Sequence, residues 1–246
     1  MAYESYNAYL ASIPSTHREF YRESLQQLVD FQFENAPNFD TIKKQNRTTG
    51  VFEDIGVRLV QAYEVDNDDR KSSDDLVTIQ FQNLDEEDIF IGDIYEFGGY
   101  RWIAIETKTV ATLAKTTLVK KCNCELKFTS ATPLTENIIS VNAFVEIRVQ
   151  DVTTENYKII PHARMTAMVP YNSDTQTIKY DAKKGTRFIL GDPAVAWQVV
   201  NIDSVSNVKR DINGNLTDGM LTLYLEQIQI HPKDDTVNGV AWQLWF

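Results

Sequence analysis

Phe90-Ile91-Gly92-Asp93, a short turn, then Trp102-Ile103-Ala104-Ile105: this stretch decides the fold, because the chain says nearly the same thing again about a hundred residues later. The second version reads Phe188-Ile189-Leu190-Gly191-Asp192, a short turn, then Trp197-Gln198-Val199-Val200. Each is an apolar approach, a Gly-Asp corner, a loop and a Trp-led strand. Duplication of such a unit predicts a two-part β architecture. In both copies Gly supplies the turn's backbone angle, and Asp caps neighbouring N–H groups. Trp102 and Trp197, each the first large residue of its strand, are expected to plug a core.

Outward from this unit, the remaining patterns are mainly those of short strands. Val141 to Val149 alternates over nine residues, the period-two pattern of a half-buried strand. Met220-Leu221-Thr222-Leu223-Tyr224-Leu225 alternates as well, and follows Asn213-Gly214, a hairpin signal. Val51 to Tyr63, Leu76 to Phe81, 100–107 and 117–128 read as further strands. Pro133 and the polar residues around it mark a boundary. Helical spacing is confined to the start. Thr16-His17-Arg18-Glu19 is a capping box, followed by Tyr21, Leu25, Leu28 and Val29 on one face, with Pro37 ending the run. Tyr3, Tyr6, Tyr9 and Leu10 form an aromatic stripe before it. The expected fold is therefore mainly β: an N-terminal helical segment over 1–45, then two small β-barrel or sandwich modules with an internal repeat, over 46–135 and 136–246. The end of the chain, Val240 to Phe246 with Trp242, Trp245 and Phe246, is strongly aromatic. It is expected to be buried in its own fold or in a partner.

Bulk properties bound the function. At 43% hydrophobic and 24% charged residues, the 246-residue chain is ordinary for a folded soluble protein. A formal net charge of −11 makes it a poor grip for nucleic acid, although repulsion from phosphates suits a surface that DNA must slide past. The start lacks the basic and apolar pattern of a signal peptide, and no apolar run is long enough to span a membrane. Cys122 and Cys124 lie too close together along one strand for a disulfide. Reduced thiols and synthesis in the cytoplasm are expected.

Chemistry-bearing patterns are scarce. His17, His162 and His231 share no ligand spacing, and two cysteines do not complete a four-ligand zinc site. Neither a Gly-x-Ser-x-Gly elbow nor a Gly-x-x-x-x-Gly-Lys loop occurs. Asp85-Glu86-Glu87-Asp88 lacks calcium-loop spacing and reads as a solvated turn. Asp93 and Asp192 would form a carboxylate pair only if the two repeats faced each other. No catalytic residue, metal or cofactor is expected. The residues singled out are structural or interaction positions: Gly92, Asp93, Trp102, Gly191, Asp192, Trp197, Tyr3, Tyr6, Trp242, Trp245 and Phe246.

The stretch Phe90 to Tyr95 and Gly99 to Ile103, followed by Cys122-Asn123-Cys124-Glu125-Leu126-Lys127-Phe128, resembles tailed-bacteriophage neck proteins. Their pattern is an apolar residue, Gly-Asp, an apolar residue, a Gly-containing turn, then Trp with an apolar partner. The Tyr-rich opening, Tyr3 to Leu10, is similar to that of phage structural proteins from Gram-positive hosts. The resemblance covers about residues 1–130, and reaches the second half through the echo at 188–200. There the turn is shorter and carries Pro193, so it need not do the same work. The resemblance implies a head-closure (stopper-like) or adaptor-like virion protein of the head–tail connector. It further implies a small β-barrel and a homo-oligomeric ring of about six or twelve subunits below the portal. Its partners would be portal, adaptor or tail proteins, with DNA passing through the lumen without specific binding. An alternative is a tail, baseplate or receptor-binding β-sandwich, with Tyr95, Tyr100 and Trp102 as a sugar-stacking platform. A hydrolase using two carboxylates is disfavoured, since nothing sets two carboxyls at the required separation.

Overall fold

The computed structural model describes residues 26, 30, 31, 33, 35–66, 69–82, 89–110, 114–129, 138–155, 158–181 and 183–243. The named elements are thirteen strands and one 3-10 turn. The early strands are β1 (Phe39–Gln45), β2 (Phe52–Asp66), β3 (Asp69–Phe81), β4 (Ile94–Phe97), β5 (Tyr100–Val110) and β6 (Ala114–Lys121). The later ones begin with β7 (Cys124–Thr129), β8 (Ile138–Glu155), β9 (Lys158–Pro170) and β10 (Arg187–Leu190). They end with β11 (Val195–Asp203), β12 (Val208–Arg210) and β13 (Leu216–Ile228). Hydrogen bonding places β1-β2-β3-β6-β5-β4 in a closed barrel. A second, seven-stranded sheet has the order β10-β11-β13-β9-β8-β7, with β12 paired to β13.

Two β sheets of barrel type fit the expected modules in part, but the N-terminal helical segment over 1–45 does not stand. Phe39–Gln45 is a strand, and no α-helix is among the named elements. Of residues 1–34 only Gln26, Asp30, Phe31 and Phe33 are described, each with helical backbone. The capping box and the tyrosine stripe lie outside the described residues. The bound at 45 overshot because the polar run after Pro37, which carries no helical spacing, pairs into a sheet as β1, and such pairing is set by distant partners.

By Cα proximity the chain forms two units. The first comprises 1–42, 54–89 and 107–118; the second comprises 43–53, 90–106 and 119–246. In the first unit, β2 and β3 pair antiparallel with Val57 opposite Phe81 and Leu59 opposite Ile79, up to a register shift between Gln61 and Tyr63. Val57 and Ile79 are fully buried. Asn38 ties the start of β1 to β2: its backbone accepts from Leu59 N–H, and its side chain donates to Leu59 O and accepts from Arg58.

The second unit has its main core on one face of the long sheet. Leu126 and Phe128 (β7), Val141 and Ala143 (β8), Met165, Ala167 and Val169 (β9), Phe188 (β10), Trp197 and Val199 (β11) and Leu221, Leu223 and Leu225 (β13) form one cluster. Alternate residues face this core because side chains along a strand point to opposite faces. The two ends of the sheet approach each other, with Phe128 and Phe188 edge to face at 5.8 Å. On the opposite face Met220, Met168 and Phe144 pack with Ile94 and Ile103 of the β4–β5 hairpin. The strand expected over 117–128 is interrupted at Asn123. Its amide exchanges two hydrogen bonds with the Val145 backbone (2.7 and 2.8 Å), standing in for a strand ladder.

The two Gly-Asp/Trp stretches are not structural repeats. Gly92-Asp93 is a corner ahead of β4, and the hairpin turn that precedes Trp102 is Gly98-Gly99. Gly191-Asp192 lies in the β10–β11 hairpin turn itself, with Trp197 directly opposite Phe188.

Candidate functional site

Asp93 gathers a polar cluster in the second unit. The corner that positions it is fixed by backbone bonds: Gly92 N–H donates to Ala104 O (2.8 Å), and Ala104 N–H donates to Asp93 O (2.9 Å). Gly92 has φ +91°, and a Cβ there would stand 2.0 Å from the carbonyl oxygen of Gly219 in β13. Only glycine fits that approach. The Asp93 carboxylate is 2% exposed, so it must be compensated. Arg47 supplies a two-pronged contact, Nε to Oδ1 at 2.5 Å and Nη2 to Oδ2 at 3.0 Å. Phe90 N–H donates at 3.0 Å, the Tyr95 hydroxyl at 3.5 Å, and the Lys44 ammonium lies 3.7 Å away.

Arg47 reaches a second carboxylate, Asp218 on β13, at 3.2 Å, and its guanidinium covers the Phe90 ring at 4.1 Å. Lys209 on β12 stands over the same ring at 4.5 Å. The cluster therefore ties β1, the Gly-Asp corner, β12 and β13 together. Beside it lies a recess of about 260 Å³ lined by Arg47, Gly92, Gly219, Tyr171, Asn172 and Asp174, among others. Asn172 is committed to its own turn, accepting from the backbones of Asp174 and Thr175. Chemically the arrangement suits clamping, with a buried carboxylate held by charged and backbone donors.

Trp102, 5% exposed, stacks on Phe97 at 4.6 Å and donates from Nε1 to Phe97 O. Tyr95 is fully buried, so of the three aromatics proposed as a sugar platform only Tyr100, 52% exposed, is at the surface. Trp197 is in the main core. Gly191, at φ +88°, and Asp192 are exposed, and the Asp192–Pro193 bond is cis. Asp93 and Asp192 are not brought together. Trp242 is half-buried beneath the Lys233 ammonium, 4.5 Å from its ring. Tyr3, Tyr6, Trp245 and Phe246 lie outside the described residues.

A second buried pair escaped the sequence reading. Arg187 on β10 and Asp234 are 1% and 0% exposed at their side chains and pair at 2.8 and 2.9 Å. Asp234 also accepts from His231 N–H and Trp242 N–H. The Gln243 amide brackets the Arg187 backbone, accepting from its N–H at 2.9 Å and donating to its O at 3.0 Å. These contacts hold the segment 229–243 against β10. Nothing in the local pattern marks Arg47, Asp218, Arg187 or Asp234, because each partner is distant in sequence.

The cysteines carry no site. Burial pushes the Cys122 thiol up to about 12, with Arg101 acting weakly in the opposite direction, and burial also raises Cys124. Among the described residues no three His, Cys, Asp or Glu side chains are grouped to hold a metal, and no helix is long and apolar enough to cross a membrane.

No curated protein matches the chain. Among solved structures, one described as "MrkH, A novel c-di-GMP dependence transcription regulatory factor" aligns over 86% of this chain and 85% of that chain. It does so at 7% identity and a TM-score of 0.19, a likeness too loose to bear on fold or function. The family model of the YomX C-terminal domain matches residues 103–226, from β5 into β13 and just over half of the chain. The chain thus belongs to the YomX C-terminal domain family, a phage-derived family, and is a phage-associated protein.

Proposed function

We propose that this chain is a virion structural protein of the head–tail connector: a ring-forming subunit below the portal that joins capsid to tail and closes or lines the DNA channel. On this reading it performs no catalysis, and it contacts portal, adaptor or tail proteins. The observation that carries the proposal is membership of a phage-derived family. Several features support the finer role. The neck-like Gly-Asp corner is built as a clamp, with its carboxylate held by Arg47, Phe90 N–H and Tyr95. Exposed apolar side chains stand on turns of the second unit, with Val205, Ile212 and Val237 at 73%, 102% and 92% exposure. Such side chains suit burial in an assembly. A net charge of −11 lets DNA pass without sticking.

The test is gold-labelled antibody on purified particles of the encoding phage, with negative-stain images of the purified protein. Label at the neck and ring-shaped particles are the expected results. A chain absent from particles and monomeric at high concentration would overturn the proposal.

A further inference from the structure

We propose that the recess beside the Gly92 corner is a binding site for a neutral sugar ring, held between the turn that joins β1 to β2 and the loop that follows β9. All of its lining residues belong to the second unit. Both segments are braced before any ligand arrives. In the turn, Asn46 N–H donates to Val51 O (2.7 Å) and Gly50 N–H donates to Asn46 O (2.8 Å). The Asn46 side-chain oxygen accepts from Thr48 N–H and Thr49 N–H at 3.0 and 3.1 Å. In the loop, Tyr171 N–H donates to Gly219 O (2.8 Å). The buried Thr175 hydroxyl donates to Pro170 O (2.8 Å) and accepts from Asn172 N–H (2.9 Å). A ligand entering such a preformed recess loses little free energy to ordering the protein.

The loop also presents polar groups that its own bracing does not use. The Tyr171 hydroxyl, the Asn172 amide nitrogen and the Asp174 carboxylate have no hydrogen-bond partner among the described residues. Among those residues, Arg187 Nε is the one buried side-chain nitrogen or oxygen without a partner, so the Tyr171 hydroxyl and the Asn172 amide nitrogen reach solvent. These groups select a ligand by what each can do. An amide N–H only donates, a carboxylate only accepts, and a hydroxyl does both. A ligand that satisfies all three must donate and accept from neighbouring atoms, as the adjacent hydroxyls of a sugar do. An ammonium group only donates. An ionised phosphate only accepts, and the Asp174 charge repels it. Arg47 does not reverse that preference, because its guanidinium is already held by Asp93 and Asp218. Ile91 and Ile94 add apolar lining suited to the C–H face of a sugar. The volume, about 260 Å³, is just below the ~300–1,000 Å³ of sites for drug-sized ligands and suits a single ring. The inference does not depend on the ring-forming reading above.

The experiment is saturation-transfer NMR on the full chain with free glucose, galactose and N-acetylglucosamine as neutral probes. Glucosamine and glucose 6-phosphate are the charged comparators, and the trisaccharide of N-acetylglucosamine distinguishes the end of a glycan from a free sugar. The variants are Asp174→Ala, Tyr171→Phe and a control, Asp192→Asn, on an exposed hairpin tip elsewhere in the second unit. Neither Asp174→Ala nor Tyr171→Phe removes an internal hydrogen bond, so their thermal melts should match wild type and show that both are folded. Wild type and control are expected to transfer saturation to at least one neutral sugar. Affinity should fall at least about tenfold in Asp174→Ala, which loses a charge-assisted bond, and about threefold or more in Tyr171→Phe. Tighter binding of the trisaccharide, with transfer concentrated on a terminal ring, supports the site as one for a glycan end; equal affinity supports it as one for a free sugar. No transfer to any neutral sugar, transfer to the charged comparators alone, or binding unchanged in Asp174→Ala overturns the inference.

Discussion

Replacing Asp234 with Ala removes one partner of a fully buried ion pair in the second unit. The side chains of Arg187 and Asp234 are 1% and 0% exposed, so water does not screen the pair. Four hydrogen bonds vanish together: two from the Arg187 guanidinium and one each from His231 N–H and Trp242 N–H. The guanidinium keeps only the carbonyls of Trp242 and Gln229, and its Nε is already buried without a hydrogen-bond partner. Breaking such a pair costs about 3–5 kcal/mol, which for a domain of this size lowers Tm by roughly 6–20 °C. That is a large share of the ~5–15 kcal/mol by which domains are stable. Urea unfolding followed by tryptophan fluorescence reads the loss, with Trp197 in the core and Trp242 beside the pair as reporters. The decisive comparison is Asp234→Ala with Arg187→Met. Removing the orphaned charge should recover about 1–2 kcal/mol relative to Asp234→Ala, short of wild type because two backbone N–H groups still lack their acceptor. A double variant no more stable than the single would refute the argument that a stranded buried charge dominates the cost.

Gly92→Ala should destabilise by more than about 2 kcal/mol, because its Cβ would overlap Gly219 O and its φ is positive, whereas Gly98→Ala, at φ +60° with open space around it, should cost only about 1 kcal/mol; thermal melts of the two variants give the ranking. Side-chain and backbone donors lower the carboxyls of Asp203 (Ser206 first), Asp211 (Asn215 first) and Asp235 (Asn238 first), and backbone N–H groups of Lys183 and Lys184 lower Asp181. A depressed folded pKa gives stability that is present above the unfolded value, near ~3.9, and is lost as pH falls through the folded values. Urea midpoints should therefore hold at pH 5 and fall between about pH 4 and pH 2, and Asp211→Asn should flatten part of that fall. With its thiol pushed up to about 12, native Cys122 should react with a disulfide reagent at pH 8 far more slowly than the urea-unfolded chain does. Equal rates would contradict its burial.

Strand content was legible wherever one face is buried and alternation is strict. Val141 to Val149 lies within β8, and Met220 to Leu225 within β13, with Leu221, Leu223 and Leu225 in the core as period two requires. Legibility failed where a pattern needed a distant partner. The polar run after Pro37 contains no apolar period, yet it forms β1, because Lys43 and Lys44 pair with Glu96 and Tyr95 of β4. Arg47 meets Asp93 across 46 positions and Asp218 across 171, and Arg187 meets Asp234 across 47. Ion pairs closed over such distances leave no periodic trace in the sequence. Side-chain burial is set by what packs on top, which the local residues do not encode.

The two Gly-Asp corners show how far one dipeptide can diverge in role. Both glycines take positive φ, +91° at Gly92 and +88° at Gly191, so the backbone demand is shared and the sequence signal for a turn is sound in each. What differs is the environment. Asp93 is covered by Arg47, Phe90 and Tyr95 and becomes the anchor of a four-element clamp, whereas Asp192 points from an exposed hairpin tip. In the second case the anchoring carboxylate arrives from elsewhere in the chain: Asp234 fastens the 229–243 segment to Arg187, the first residue of the hairpin that carries the corner. Both corners are thus neighboured by an Arg–Asp lock with a buried carboxylate, built in one case from the motif's own Asp and in the other from a residue outside it. A phage-derived chain read by motif alone would place its second lock at Asp192. Exchanging Asp192 for Asn should leave stability within about 0.5 kcal/mol, while the same exchange at Asp93 should cost several times more, and equal losses in urea unfolding would show that the motif, not the lock, sets the energetics.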